Sequence, residues 1–85
     1  MRLDVKTFRC GTDKEAARKV VEEAAEVFSA WEDDQRTGAD WTLDALADEL
    51  ADCITACCNL ADRYGLDLQA ALERVERRNI ERGRY

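Results

Sequence analysis

The 85 residues amount to one small domain, 1–85, with residues 1–11 as an N-terminal arm. A formal net charge of −6 argues against a basic surface for a nucleic-acid polymer, and no apolar run approaches the roughly 18 residues of a membrane span. The lack of any histidine removes the commonest general base and the commonest transition-metal ligand.

Proline is absent, glycine is scarce, and alanine, leucine, glutamate and arginine dominate, which is helical composition. The fold expected is all-α. A chain this short buries only about 60% of its unfolded surface, so association with a second copy is expected to enlarge the core. The N-terminal stretch MRLDVKTFRC has neither an apolar h-region nor a cleavage pattern, which points to the cytoplasm and to reduced thiols.

In chain order, Leu3, Val5 and Phe8 read as a short extended segment or an arm that packs on a partner. Thr12 with Glu15 forms a capping box. It predicts a helix from Asp13 to about Asp34 with an apolar stripe of Ala16, Ala17, Val20, Ala24, Val27 and Trp31. Glu22 points away from that stripe, whereas Glu23 sits on its flank with Glu26 and Lys19. Residues 34–41 read as a polar loop.

Thr42 is the expected cap of a second helix, whose stripe is Leu43, Leu46, Leu50, Ile54, Cys57, Ala61 and Tyr64, with Gly65 as its stop. Glu49 and Asp52 share a flank with Ala45 and Ala56, whose small side chains leave room beside the acids. Asp67 caps a third helix from Leu68 to about Arg82. Its stripe of Leu68, Leu72 and Val75 continues onto Asn79, an amide that would hydrogen-bond in the core or reach into a site on a neighbouring helix. Arg74, Arg77, Arg78, Arg82 and Arg84 make this the locally basic end, as solvated arginines or as partners for polyphosphate.

Glu23 with Glu26, and Glu49 with Asp52, are pairs at three-residue spacing, each about 60° apart around its helix. Two such helices joined by a short loop pack antiparallel, which brings four acids together. Like charges at about 4 Å repel by roughly 4 kcal/mol at an effective dielectric near 20, so the assembly calls for a cation. Oxygen donors suit Mg²⁺, with Mn²⁺ as the substitute. A metal held by a few carboxylates and by substrate phosphates suits phosphoanhydride hydrolysis, a spare carboxylate holding the attacking water. Phosphoryl transfer needs positioning and charge compensation more than a protein nucleophile, so the missing histidine is no objection.

Other chemistries fit less well. A di-iron bundle pairs glutamates with Glu-x-x-His, and no histidine is present. A zinc site on Cys53, Cys57 and Cys58 would need Cys10 as a fourth ligand, and reduced cysteines commonly pack as small apolar side chains. Each acid pair alone reads as the solvated edge of a helix. Trp31, Trp41 and Tyr85 are core or interface residues, or stack on a base, with Trp31 and Trp41 preferred because they flank the acidic hairpin.

The run KVVEEAAEVFSA followed by LADELADCITACC resembles the MazG-like, all-α nucleoside triphosphate pyrophosphatases. That superfamily includes dimeric dUTPases, dCTP pyrophosphatase and the phosphoribosyl-ATP pyrophosphohydrolases of histidine synthesis. The shared ExxE and ExxD pattern reads here as Glu23-Ala-Ala-Glu26 and Glu49-Leu-Ala-Asp52, and RRNIERG resembles the basic stretch with an asparagine.

The resemblance implies Mg²⁺ on Glu23, Glu26, Glu49 and Asp52. It implies cleavage between the α and β phosphates, giving a nucleoside monophosphate and pyrophosphate. It further implies that Asn79 contacts the substrate and that Lys19, Arg78 or Arg82 meets phosphate. Related proteins form dimers or tetramers of four-helix units, so three helices here imply completion by oligomerisation as a homodimer or homotetramer. The expected activity is nucleoside triphosphate pyrophosphohydrolysis, with one acid of the four, Glu26 or one of its neighbours, holding the water. The RRNIERGRY end ranks phosphoribosyl-ATP second as substrate. A non-catalytic helical interaction module is the reading from another class.

Overall fold

The computed structural model describes residues 1–9 and 11–85. Within them lie three helices and no strand: α1 (Asp13–Thr37), α2 (Asp40–Arg63) and α3 (Leu68–Glu81). Cys10, the fourth ligand of a cysteine zinc site, lies outside the described residues.

The expected capping box starts α1. The Glu15 backbone N–H donates to Thr12 Oγ1, and that hydroxyl donates to Glu15 Oε1, each at 3.2 Å. The end of α1 differs from expectation. Helix continues to Thr37, and only residues 38 and 39 separate it from α2, so the 34–41 loop contracts to a two-residue link. Gly38 makes this possible. Its φ of 61° reverses the chain in one residue, and its N–H donates to the Asp34 carbonyl at 2.8 Å.

Thr42 is therefore not the cap. Ala39 holds that position, and Thr42, 1% exposed, lies in the first turn of α2. Its hydroxyl sits 2.6 Å from both the Asp34 carboxylate and the Ala39 carbonyl, stitching the end of α1 to the start of α2.

At the other end of the hairpin, Arg63 Nε donates to Asp13 Oδ1 at 2.8 Å and Nη2 to the Gly11 carbonyl at 3.1 Å. The arm lies against the same end. The Phe8 N–H donates to Asn59 Oδ1 at 2.8 Å, and the Thr7 hydroxyl to the Asp62 carboxylate. These ties hold α1 and α2 antiparallel, in a register that sets Glu26 level with Glu49 and Glu23 level with Asp52.

The face that packs between α1 and α2 coincides with the apolar stripe read from the sequence only at Ala16 and Ala61. On α1 the buried residues are Ala16, Glu23 and Ala30, at seven-residue spacing. On α2 they are Thr42, Ala56, Asn59 and Ala61, with Glu49 half-buried between the first two. Small side chains let the helices approach closely, and a glutamate occupies the middle of each line. Glu23 is thus central to the buried face rather than on its flank.

The larger apolar residues point outward. Trp31, Leu43, Leu50, Ile54, Tyr64, Leu68, Leu72 and Val75 are all exposed, and Ala17 and Ala24 with them. Of the cysteines placed on the core side, Cys53 is half-buried and Cys57 exposed. Desolvation, then its neighbour Cys53, pushes the Cys57 thiol up, away from the reactive thiolate.

Asp67 caps α3 as expected, its carboxylate accepting from the Ala70 N–H at 3.0 Å. No residue of α3 is buried. The chain exposes 6806 Å², about a third more than the ~5,100 Å² expected of a compact monomer of its mass. Its radius of gyration is 15.1 Å, against ~12 Å for a compact domain of this length.

Candidate active site

The hairpin register carries the acids to one place. Oxygen atoms from Glu23, Glu49 and Asp52 lie within 4.8 Å of one another. Glu23 is 5% exposed, Glu49 half-buried and Asp52 exposed, so the group opens from the helix interface to solvent. Lys19 Nζ reaches Glu23 Oε1 at 2.9 Å and Glu22 at 3.8 Å. The second oxygens of Glu23 and Glu49 are buried with no hydrogen-bond partner. A buried acceptor left unsatisfied costs about 1–3 kcal/mol, and more when charged. Two such oxygens, from facing helices and beside a third carboxylate, form a donor set matched to a hard divalent cation.

Glu26 stands just outside this trio but is electrostatically part of it. Glu49 beside it, and Glu23 after that, raise the Glu26 carboxyl above the ordinary glutamate range. Two carboxylates that share a site cannot both ionise freely, so one keeps its proton to higher pH. A carboxylate so placed is also a better base than a free glutamate.

A cleft of about 220 Å³ adjoins the acids, lined by Glu26, Ser29, Ala30, Asp33, Trp41, Thr42, Ala45 and Glu49. Of the aromatic candidates, Trp41 is thus the one beside the acids. Trp31 stacks on Phe28, ring centroids 5.8 Å apart, and lines a neighbouring groove with Glu32, Gln35 and Arg36 that shares Ser29 and Asp33 with this cleft.

Ser29 and Asp33 were not singled out from the sequence. The signal was there, since they follow Glu26 by three and seven residues and extend its helix face. Lys19 is placed against the acids. The α3 candidates are not: no α3 residue lines the cleft. Asn79 is half-buried, and Arg78 and Arg82 are exposed, Arg78 lining a shallow basic groove with Arg74, Arg77 and Glu81.

A family model described as phosphoribosyl-ATP pyrophosphohydrolase matches residues 5–79, nearly the whole chain. The all-α fold and this match define the class, the MazG-like all-α nucleoside triphosphate pyrophosphatase superfamily, whose members are nucleotide pyrophosphohydrolases. Within it, the chain belongs to the phosphoribosyl-ATP pyrophosphohydrolase family. Enzymes of this family typically depend on a divalent metal. No curated protein and no solved structure matches the chain. No helix among the described residues is long and apolar enough to cross a membrane.

Proposed function

We propose that this chain is a Mg²⁺-dependent nucleotide pyrophosphohydrolase that cleaves the α–β phosphoanhydride, releasing pyrophosphate and leaving the α-phosphate on the nucleoside. The observation that carries the reading is the pair of buried, unpartnered oxygens on Glu23 and Glu49, gathered with Asp52. Glu23, Glu49 and Asp52 would hold the cation, with Glu26 completing the set. When bound, the cation supplies charge compensation to the polyphosphate and acidifies water.

The protein groups divide the remaining work. Glu26, its proton affinity raised by Glu49 and Glu23, accepts the proton of the attacking water. Lys19 holds Glu23 in place until substrate arrives, and its long, half-exposed side chain then turns to phosphate. Trp41 walls the adjoining cleft. Asn79, Arg78 and Arg82 act from a second copy of the chain. Supporting this are the α3 helix that buries nothing, its exposed Leu68, Leu72, Val75 and Ile80, and a surface excess about twice the ~800 Å² that each partner gives to a standard interface.

Two substrates compete. Phosphoribosyl-ATP has the support of the family match over 5–79, which gives it at least equal standing with the nucleoside triphosphates favoured by the RRNIERGRY end. A panel of ribo- and deoxynucleoside triphosphates with phosphoribosyl-ATP, assayed for pyrophosphate, separates them. Turnover is expected with Mg²⁺ and is expected to vanish with EDTA and in Glu49→Ala. Silence on every substrate, with no Mg²⁺ binding, would favour a helical interaction module instead.

A further inference from the structure

We propose that Lys19 is a resident counter-ion that competes with the divalent cation for Glu23, and that Glu22 is the seat to which its ammonium withdraws when the metal enters. This rests on the metal-dependent reading of the same site and names what sets its affinity.

Lys19 stands at i,i+3 from Glu22 and at i,i+4 from Glu23 on α1, so one flexible stem reaches both carboxylates. The two seats differ in their surroundings. The Glu23 side chain is 7% exposed and lies 2.9 Å from Nζ, whereas that of Glu22 is 51% exposed and 3.8 Å away. Attraction between opposite charges is screened least away from water, and an exposed pair is worth little. In the metal-free chain the ammonium therefore rests on the inner carboxylate.

Only one Glu23 oxygen is used in this way. Oε1 takes the ammonium, and Oε2 is buried without a partner, as is Glu49 Oε2. A divalent cation drawn to those two oxygens and to Asp52 shares Glu23 with the ammonium. Two positive charges on one carboxylate repel, and burial strengthens that repulsion as it strengthens the attraction. The ammonium is the member that can leave, because it sits on a half-exposed, flexible four-carbon stem. Moving it to Glu22 keeps it paired, returns it to solvent and leaves Glu23 wholly to the metal.

Displacing Lys19 thus offsets part of the metal affinity of the free chain. A polyphosphate offers the ammonium a third partner, so metal and polyphosphate strengthen each other's binding by the same factor.

Mn²⁺ titration of the full chain, read from the resonance of the free ion, tests this without turnover. Lys19→Met keeps the stem and removes the charge. It should bind Mn²⁺ about tenfold more tightly than wild type, within the ~5–150-fold range of coupled sites. Lys19→Arg, which keeps the charge, should show no such gain. Glu22→Gln removes the outer seat and leaves the metal's ligands in place. It should weaken Mn²⁺ binding in the wild-type background but not in Lys19→Met, a non-additivity that loss of one surface charge alone does not produce.

Unchanged or weaker binding in Lys19→Met, an equal gain in Lys19→Arg, or a Glu22→Gln effect of equal size in both backgrounds would each overturn the proposal. Glu22→Gln keeps the buried pair intact and carries the test even if Lys19→Met loses helical content, since unweakened binding there also overturns it. Saturable wild-type binding that Lys19→Met does not tighten would leave the pyrophosphohydrolase reading standing. No saturable binding in either chain would end both.

Discussion

Glu23 is a carboxylate taken out of water by helix packing, with Lys19 on one oxygen and nothing on the other. Burying such a group is tolerated when something else binds it in the working state. Glu23→Gln should therefore raise the thermal stability of the metal-free protein. It should also abolish the stabilisation by Mg²⁺, which for wild type reaches about 2.7 kcal/mol at a hundredfold excess over Kd. Thermal melts with and without Mg²⁺ check both, and an unchanged Mg²⁺ effect in the variant contradicts the ligand role.

Glu26 adds a pH dependence whose sign follows from its shift. Its folded-state value is raised above the unfolded one by Glu49 and Glu23, so the folded chain takes up this proton first. Metal-free stability should rise as pH falls through the folded value towards the ordinary glutamate value, and Glu26→Gln should flatten that rise. Asp13, lowered by its hydrogen bond from Arg63, works in the opposite sense but at lower pH, below the ordinary aspartate value. Urea unfolding at a series of pH values separates the two windows.

Among the elements, the number of helices, the Thr12 and Asp67 caps and the approach of Glu23 to Glu49 and Asp52 were legible in the sequence. They depend on local signals, namely capping side chains and i,i+3 spacing. The interior face was not legible. Hydrophobic periodicity picked Leu43, Leu50 and Ile54 on α2, while the hairpin closes on Thr42, Glu49 and Ala56. Close approach of α1 and α2 selects small residues, so the large side chains of the apolar stripe lie on the exposed face of the hairpin. The loop was overestimated because Gly38 alone makes the reversal. Gly38→Ala, which forces an L side chain to a φ of 61°, should cost ~1 kcal/mol in denaturant unfolding without changing the helical content of the folded state.

For the whole molecule, a hairpin whose buried apolar residues are all alanines is a poor candidate for standing alone. Leu50, Ile54, Leu72 and Val75 supply the apolar surface that the interior lacks, and it faces outward. Light scattering should give a mass of at least two chains, and Leu50→Asp with Leu72→Asp should lower that mass or the helical content together with activity. A fully helical wild-type monomer with full activity contradicts the assignment of Arg78, Asn79 and Arg82 to a neighbouring copy's site.

Carboxylates from α1 and α2 that converge to hold a divalent cation should register in a Mn²⁺ titration followed by the paramagnetic resonance of the free ion. A saturable site is expected in the full chain, displaced by Mg²⁺ and lost in Glu23→Gln and Glu49→Gln. Absence of saturable binding, or binding that both variants retain unchanged, would contradict it.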